Sequence, residues 1–279
     1  ENIYRADSVN DEIKEIMQVG VEHIGTITAT TECEMLCLAC ESLSQISDDY
    51  MLVVSDMRLI SSLLEPFRFS QAQTSKILSL LAEKNTHELQ NTLIGFGVND
   101  SDAHRLSQLS NLSGRYDVVL SQLEDTFSEN MTALGRIVQL RNLFCVIGQS
   151  RFADRITLDF SVLNDVNYYN GIVFKGFVEG VPSAVLSGGQ YDKLPRKMGR
   201  NAKAIGFAVY LDLLENRNWE EDAFDVDILI LHDGTVEPKA LMAAAEAAAK
   251  EGTVLVTRQL PQTRSWNRLV RLEREERSE

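Results

Sequence analysis

No apolar run in the chain is long enough to span a bilayer and no signal-peptide pattern opens it, so the expected setting is cytoplasmic, with no membrane. Positive charge is also in short supply. Lys and Arg total 27 against 41 Asp and Glu, a formal charge of -14. Binders of nucleic acid take much of their affinity from cations set against phosphates. A large nucleic-acid partner is therefore not expected, and the acidic surplus reads as a solvated surface. Cysteine is sparse as well: four in 279 residues cannot make the disulfide framework of a small secreted domain. The four histidines, His23, His87, His104 and His232, are scattered without metal-ligand spacing. His23 follows Glu22 on a strand and is expected to pack toward the core. Walker-type and dinucleotide-type glycine loops are missing, and residue order alone supports no Ser-His-Asp or Cys-His arrangement. The sequence asks for no metal and no cofactor.

Three of the cysteines, Cys33, Cys37 and Cys40, do have the C-x3-C-x2-C spacing of an iron–sulfur site. A cluster needs a loop from which the thiolates converge on one face of the iron. TTECEMLCLACESLSQI instead reads as a helix, with Thr near its start and no Gly or Pro inside. The three cysteines then fall on one stripe beside Leu36, Leu43 and Ile46. Free cysteine packs as a small hydrophobe, so a packing role is expected.

What is present comes in blocks. Residues 16–25, IMQVGVEHIG, alternate and read as a strand; a helix follows over 30–46 and an apolar strand over 50–56. From Arg58 to about Gly148 the pattern is helical, punctuated by GVNDSD and SNLSG, and reads as an inserted helical subdomain. Strand character returns in RITLDFSVL, VNYYNGIVFKGFVEG, SAVLSGG and KAIGFAVYL, where tight Gly-containing joins favour antiparallel pairing. ENRNWEEDAFD reads as a linker, and beyond it a β-α-β-α order is expected. Its last segment sets Arg264, Arg268, Arg271, Arg274 and Arg277 three or four residues apart, the spacing of one helix face. Glu273, Glu275 and Glu276 interleave, and Glu273 to Arg277 has the favourable i, i+4 order of a self-paired, solvated helix.

Chemistry concentrates in four short segments. On the first strand Gln18, Gly20 and Glu22 share one face, while Val19 and Val21 point to the other. An amide, a gap and a carboxylate suit the floor of a pocket for a cationic or amine-bearing ligand, since burying them unpartnered is costly; an open edge face is the equal alternative. In VNYYNGIVF, Tyr169 and Gly171 share a face, a hydroxyl on an aromatic body next to a position that admits close approach. Ser187-Gly188-Gly189-Gln190-Tyr191-Asp192 is a glycine turn that presents a second tyrosine. AIGFAVYLDLL, residues 204–214, runs from a strand straight into a helix.

In this order the four segments resemble histidyl-tRNA synthetases. Ile3-Tyr4-Arg5-Ala6-Asp7 and KEIMQVGVE (14–22) are similar to the start and end of motif 2. NYYNGIVF (167–174) and GGQYD (188–192) resemble the two histidine-recognition segments, and AIGFAVYLDLL resembles motif 3. The likeness covers most of 1–25 and 155–215. It implies an α+β fold: a class II aminoacyl-tRNA synthetase-like antiparallel sheet flanked by helices, with a helical insertion and a small C-terminal α/β appendage. The expected division is a core at 1–57 and 149–217, an insertion at 58–148 and an appendage at 226–279. Motif 1, which precedes motif 2 in the family, has no counterpart here, so the chain reads as a partial or divergent copy.

The resemblance also implies a ligand. Gln18 would meet the α-ammonium of histidine, while Glu22 and Tyr169 hold the imidazole with Tyr191 beside them. The departures fall on the catalytic side. Asn164 stands where the synthetases carry an arginine that meets the carboxylate and phosphate oxygens, and Leu213 stands where motif 3 carries its ATP-clamping arginine. Asn and Leu cannot replace a guanidinium fork that stabilises charge developing on phosphate. Arg5 is left as a remnant phosphate contact, and the motif 2 loop, SVNDEIKE, is acidic. A kept amino-acid pocket with a lost clamp resembles the regulatory subunits of ATP phosphoribosyltransferase, as does the wording YYNGIVFKGFVEG…LSGGQYD. That resemblance implies no catalysis of its own, histidine as effector, a short-form ATP phosphoribosyltransferase catalytic subunit as partner, and a homodimer within a hetero-oligomer. No tRNA partner is expected. The alternatives are an active histidine–tRNA ligase, or a synthetase-like protein with another partner.

Overall fold

A computed structural model describes residues 2–6, 13–163, 168–214, 224–261 and 264–272, with side chains from residue 15 onward. The chain divides into two compact units, Glu1–Arg217 and Asn218–Glu279.

The first unit is built on an eight-stranded sheet. Its strands are β1 (Asn2–Ala6), β2 (Ile13–Gly25), β3 (Tyr50–Asp56), β4 (Ser113–Gly114), β5 (Ile156–Asp159), β6 (Ile172–Val178), β7 (Leu186–Gln190) and β8 (Lys203–Tyr210), in the order β1-β2-β8-β7-β6-β3-β5-β4. Every adjacent pair is antiparallel except β3 with β5, which run parallel. Parallel neighbours need a long crossover. The helices α2 (Met57–Leu64), α3 (Gln71–Ala82), α4 (Thr86–Gly95), α5 (Asp100–Ser107), α6 (Tyr116–Thr126) and α7 (Met131–Ile147) supply it. The sheet is thus antiparallel apart from this one pair, as the tight Gly-containing joins favour.

Local signals explain where these helices begin. Helix α1 (Ala29–Ser44) opens on a reciprocal capping box between Thr28 and Thr31. It buries Leu36, Ala39, Cys40 and Leu43 at three- and four-residue spacing. Leu43 fills the gap left by Gly176 on β6, where an added Cβ would come within 2.7 Å of Leu43 Cδ1. Helix α2 follows β3 without a loop, because Asp56 ends the strand and caps the helix, its Oδ1 accepting the Leu59 N–H at 2.9 Å. Helix α7 turns Ala133, Ile137, Leu140, Phe144 and Ile147 inward. Together with α1 and strands β3, β5, β6, β7 and β8, these helices close one continuous apolar core.

Strand β2 departs from that pattern. Met17, Val19, Val21 and Ile24 are exposed, and so is His23, which was expected to pack inward. Alternation sets which of these residues share a face, and the face carrying Val19, Val21 and His23 is open to solvent.

The second unit holds three parallel strands, β9 (Val226–His232), β10 (Val254–Thr257) and β11 (Trp266–Leu272), in the order β10-β9-β11. Helix α8 (Pro238–Ala248) contributes Leu241, Ala244, Ala245 and Ala248 to a small core with Ile228 and Ile230. Strand β11 corrects the expected terminal helix. Arginine spacing matched a helical period, but Val270 and Leu272 pack into this core and β11 pairs with β9 from Trp266↔Val226 to Leu272↔His232. The proposed Glu273–Arg277 pair lies outside the described residues.

Candidate functional site

Strand register assembles the site. Gln18, Gly20 and Glu22 on β2 stand opposite Tyr210, Ala208 and Gly206 on β8. Gly206 faces Gly189 on β7, and Gly189 faces Val173 on β6. Directly paired residues put their side chains on the same face. One face of the sheet therefore carries Gln18 and Glu22 above a floor of small residues. Glycine is required along this floor. A Cβ on Gly20 would lie 2.5 Å from the Phe207 carbonyl oxygen, a Cβ on Gly206 would run into the Glu22 carboxylate, and a Cβ on Gly189 would lie 2.7 Å from the Tyr169 ring.

Tyrosines form the wall. Tyr191 Oη donates to Glu22 Oε2 at 2.6 Å. The Tyr169 ring meets Tyr191 edge-on at 6.3 Å between centroids, and Tyr168 stacks on Tyr191 at 4.8 Å. Glu22 is exposed as a residue, yet its Oε2 is tucked against Gly206 and Tyr191. Partial burial pushes the Glu22 carboxyl above the ordinary glutamate value, and the Tyr191 hydrogen bond opposes that rise. Burial first, and the Glu22 carboxylate second, drive the Tyr191 phenol above its usual range. Tyr191 thus stays a donor, and Glu22 Oε2 accepts its hydrogen bond.

Of the four residues expected to form a histidine pocket, Glu22, Tyr169 and Tyr191 cluster. Gln18 is half-buried on the same face, about 14 Å farther along the strand at a rise of ~3.4 Å per residue. Arg5 is placed on β1 opposite Lys14, and its side chain lies outside the described part. Asn164 lies outside the described residues. Leu213 sits in a short 3-10 turn after β8, packed against the main core. The cysteine stripe packs against that core too, with Cys40 buried and Cys33 and Cys37 half-buried. Burial, reinforced by neighbouring thiols, pushes Cys33 up to about 11 and Cys40 to about 12, which disfavours the thiolates a metal needs. Among the described residues, no group of His, Cys, Asp and Glu could hold a metal ion.

Residue order did not single out Asn170, Gln190 and Asp192, although all three stand in the motif words themselves. Asn170 Nδ2 and Gln190 Nε2 donate to the Asp192 carboxylate. Tyr169 and Asn170 also line a cavity of about 500 Å³ shared with Met57, Arg58, Ser61 and Lys193. Arg58 of this lining belongs to a charge cluster that was equally hidden in the sequence. Asp56 is fully buried and bonded by Arg136 of α7 and by Arg58 at 3.2 Å, while Arg58 also pairs with Glu32 of α1 at 2.6 Å. Burial alone would push the Asp56 carboxyl up, but the two guanidinium groups outweigh it and hold the group below its ordinary value.

Comparison with known proteins gives this geometry a context. Residues 2–214 match the family model for histidyl-tRNA synthetase. An ATP phosphoribosyltransferase regulatory subunit from Clostridium acetobutylicum is 24% identical over 217 residues, 76% of this chain and 53% of the relative. The chain thus spans about half the length of that relative. The fold resembles a Bacillus halodurans structure described as an ATP phosphoribosyltransferase regulatory subunit/histidyl-tRNA synthetase, at a TM-score of 0.69 and 22% identity, covering 99% of this chain and 73% of that one. It also resembles a chain of the ATP phosphoribosyl transferase (HisG:HisZ) complex from Thermotoga maritima, at a TM-score of 0.58 and 16% identity, covering 78% of this chain and 73% of that one.

Proposed function

Because the chain belongs to the histidyl-tRNA synthetase family, we propose that it serves as a non-catalytic regulatory subunit of ATP phosphoribosyltransferase, with histidine as its effector and a short-form catalytic subunit as its partner. The observation that carries this reading is a mismatch within one site. The amino-acid face is assembled, with Tyr191 holding Glu22 above a glycine floor. Leu213, which the resemblance sets at the position of the ATP-clamping arginine, is a half-buried packing residue. Adenylate formation spreads negative charge over phosphate, and a leucine offers it neither charge nor donor. The name of the Clostridium acetobutylicum relative supports the same role.

In this reading Glu22 and Tyr169 take the imidazole, Tyr191 orients Glu22, and Gln18 takes the α-ammonium; Arg5 is a remnant phosphate contact. The segment 58–148 is an insertion between core segments 1–57 and 149–217. The chain acts in the cytoplasm as a homodimer within a hetero-oligomer, without tRNA. Feedback requires histidine to bind two states of the complex with different affinity.

Calorimetric titration with histidine, alongside an ATP–pyrophosphate exchange assay, tests the pocket and the lost chemistry together. Saturable histidine binding without exchange is the expected result. Histidine-dependent exchange would establish an active ligase instead, and absence of both would favour a synthetase-like protein with another ligand.

A further inference from the structure

The two tyrosines of the pocket come from separate segments, residues 168–171 and 186–192, and each is followed directly by a residue of one polar cluster. Asn170 follows Tyr169, and Asp192 follows Tyr191. Four hydrogen bonds close a ring, three of them between the two segments. The Asn170 N–H donates to the Gln190 carbonyl at 3.0 Å, and the Asp192 N–H donates to Asn170 Oδ1 at 2.9 Å. Asn170 Nδ2 donates to Asp192 Oδ2 at 3.2 Å, and Gln190 Nε2 donates to Asp192 Oδ1 at 3.0 Å. Gln190 and Asp192 are 2% and 7% exposed. A nearly buried carboxylate is expensive unless well bonded. Here its partners are amides, with no cation pairing among the described residues. Gly171 makes room for the arrangement, since a Cβ there would lie 2.6 Å from Gln190 Cβ.

We infer that Asn170, Gln190 and Asp192 are positioning residues that set the two tyrosines against each other, and so fix the direction from which Tyr191 reaches Glu22. This rests on reading the pocket as a histidine site. An apolar contact would join the two segments at lower cost, but apolar contacts slide, whereas a closed ring of directional bonds admits one geometry. A tilt of either segment would lift Tyr191 Oη off Glu22 Oε2, now 2.6 Å away.

The experiment swaps the ring's two sides. Asn170→Asp sets two carboxylates against each other. The double variant Asn170→Asp/Asp192→Asn restores one amide donor facing one carboxylate acceptor, in exchanged order. Two readouts are taken: histidine affinity by calorimetry, and the number of tyrosines that ionise between pH 8 and 11 by ultraviolet difference absorption. The second readout needs no ligand, so it tests the ring even if the wild-type protein fails to bind histidine, an outcome that would count against the pocket reading alone. Asn170→Asp is expected to weaken histidine binding at least tenfold and to release one further tyrosine into the ordinary titration range, and the double variant is expected to restore affinity to within threefold and the wild-type tyrosine count. A folded Asn170→Asp with an unchanged tyrosine titration would overturn the proposal. So would a folded double variant that resembles the single one. If Asn170→Asp does not fold, the double variant decides: recovery of fold and titration supports the ring, and failure to recover them overturns it.

Discussion

Replacing Tyr191 by Phe removes one oxygen atom and leaves the ring that stacks on Tyr168. The structure sets the size of the effect. The lost bond is a 2.6 Å contact from a buried phenol to a carboxylate. Hydrogen bonds to charged groups contribute about 1.5–3 kcal/mol. Glu22 is exposed on its remaining sides, so the lower end applies. About 1.5 kcal/mol corresponds to roughly a tenfold loss of histidine affinity. The variant also carries a pH signature. Burial raises the Glu22 carboxyl and the Tyr191 bond opposes that rise, so Tyr191→Phe frees Glu22 to move further up. Histidine binding that uses an ionised Glu22 is present above its pKa and lost as pH falls through it. The acid limb of binding should therefore begin above the ordinary glutamate range in the wild type, and higher again in the variant. Without ligand the sign reverses, because a raised carboxyl contributes stability that is complete at acid pH and fades as pH rises through the native-state pKa. Calorimetry over an acid-to-neutral pH series, with circular dichroism as a check of fold, gives both readings. Affinity within twofold of wild type in a folded Tyr191→Phe, or an acid limb displaced downward, would refute this account of the Glu22–Tyr191 pair.

Further outcomes follow from other residues. Arg136→Met leaves the fully buried Asp56 with Arg58 and the Leu59 N–H, and breaking a buried pair costs ~3–5 kcal/mol; a loss of about 3 kcal/mol is expected in urea unfolding, and less than 1 would contradict it. The Asp56 contribution has the opposite pH sign to that of Glu22: a depressed carboxyl stabilises above its unfolded-state value, and this is lost as pH falls through the native one. Gly206→Ala places a methyl 2.5 Å from the Val21 carbonyl oxygen and against the Glu22 carboxylate, so histidine affinity should drop more than tenfold in titration, and an unchanged value would show that Glu22 does not touch the ligand. Thiol labelling at pH 8 should modify the exposed Cys145 first, with Cys40 reacting only on unfolding; early labelling of Cys40 would contradict its burial and raised pKa.

The legibility of this protein in its sequence follows the range of each interaction. Strands with a two-residue alternation, such as 16–25 and 50–56, and the capped helix at 29–44 were readable because their signals are local. Gln18 and Glu22 could be set on one face from that same period, and the tyrosines stood out as motif words. Pairings across distance were not readable. The Asn170–Asp192 ring spans 22 residues, and the Asp56–Arg136 pair spans 80. Nothing in the order of residues selects those partners among the other amides and arginines. Strand β11 shows the converse, where a local arginine period gave way to pairing with β9. The exposure of Val19, Val21 and His23 was hidden for a similar reason, since alternation predicts which residues share a face but not what covers it.

Regulation of a partner is read out in a single assay. The full-length protein is mixed with a short-form ATP phosphoribosyltransferase from the same source, and phosphoribosyl-ATP formation is followed with and without histidine. The account predicts activity that appears only when the two proteins are combined and falls as histidine rises. A folded partner that works no faster in the mixture than alone would contradict it.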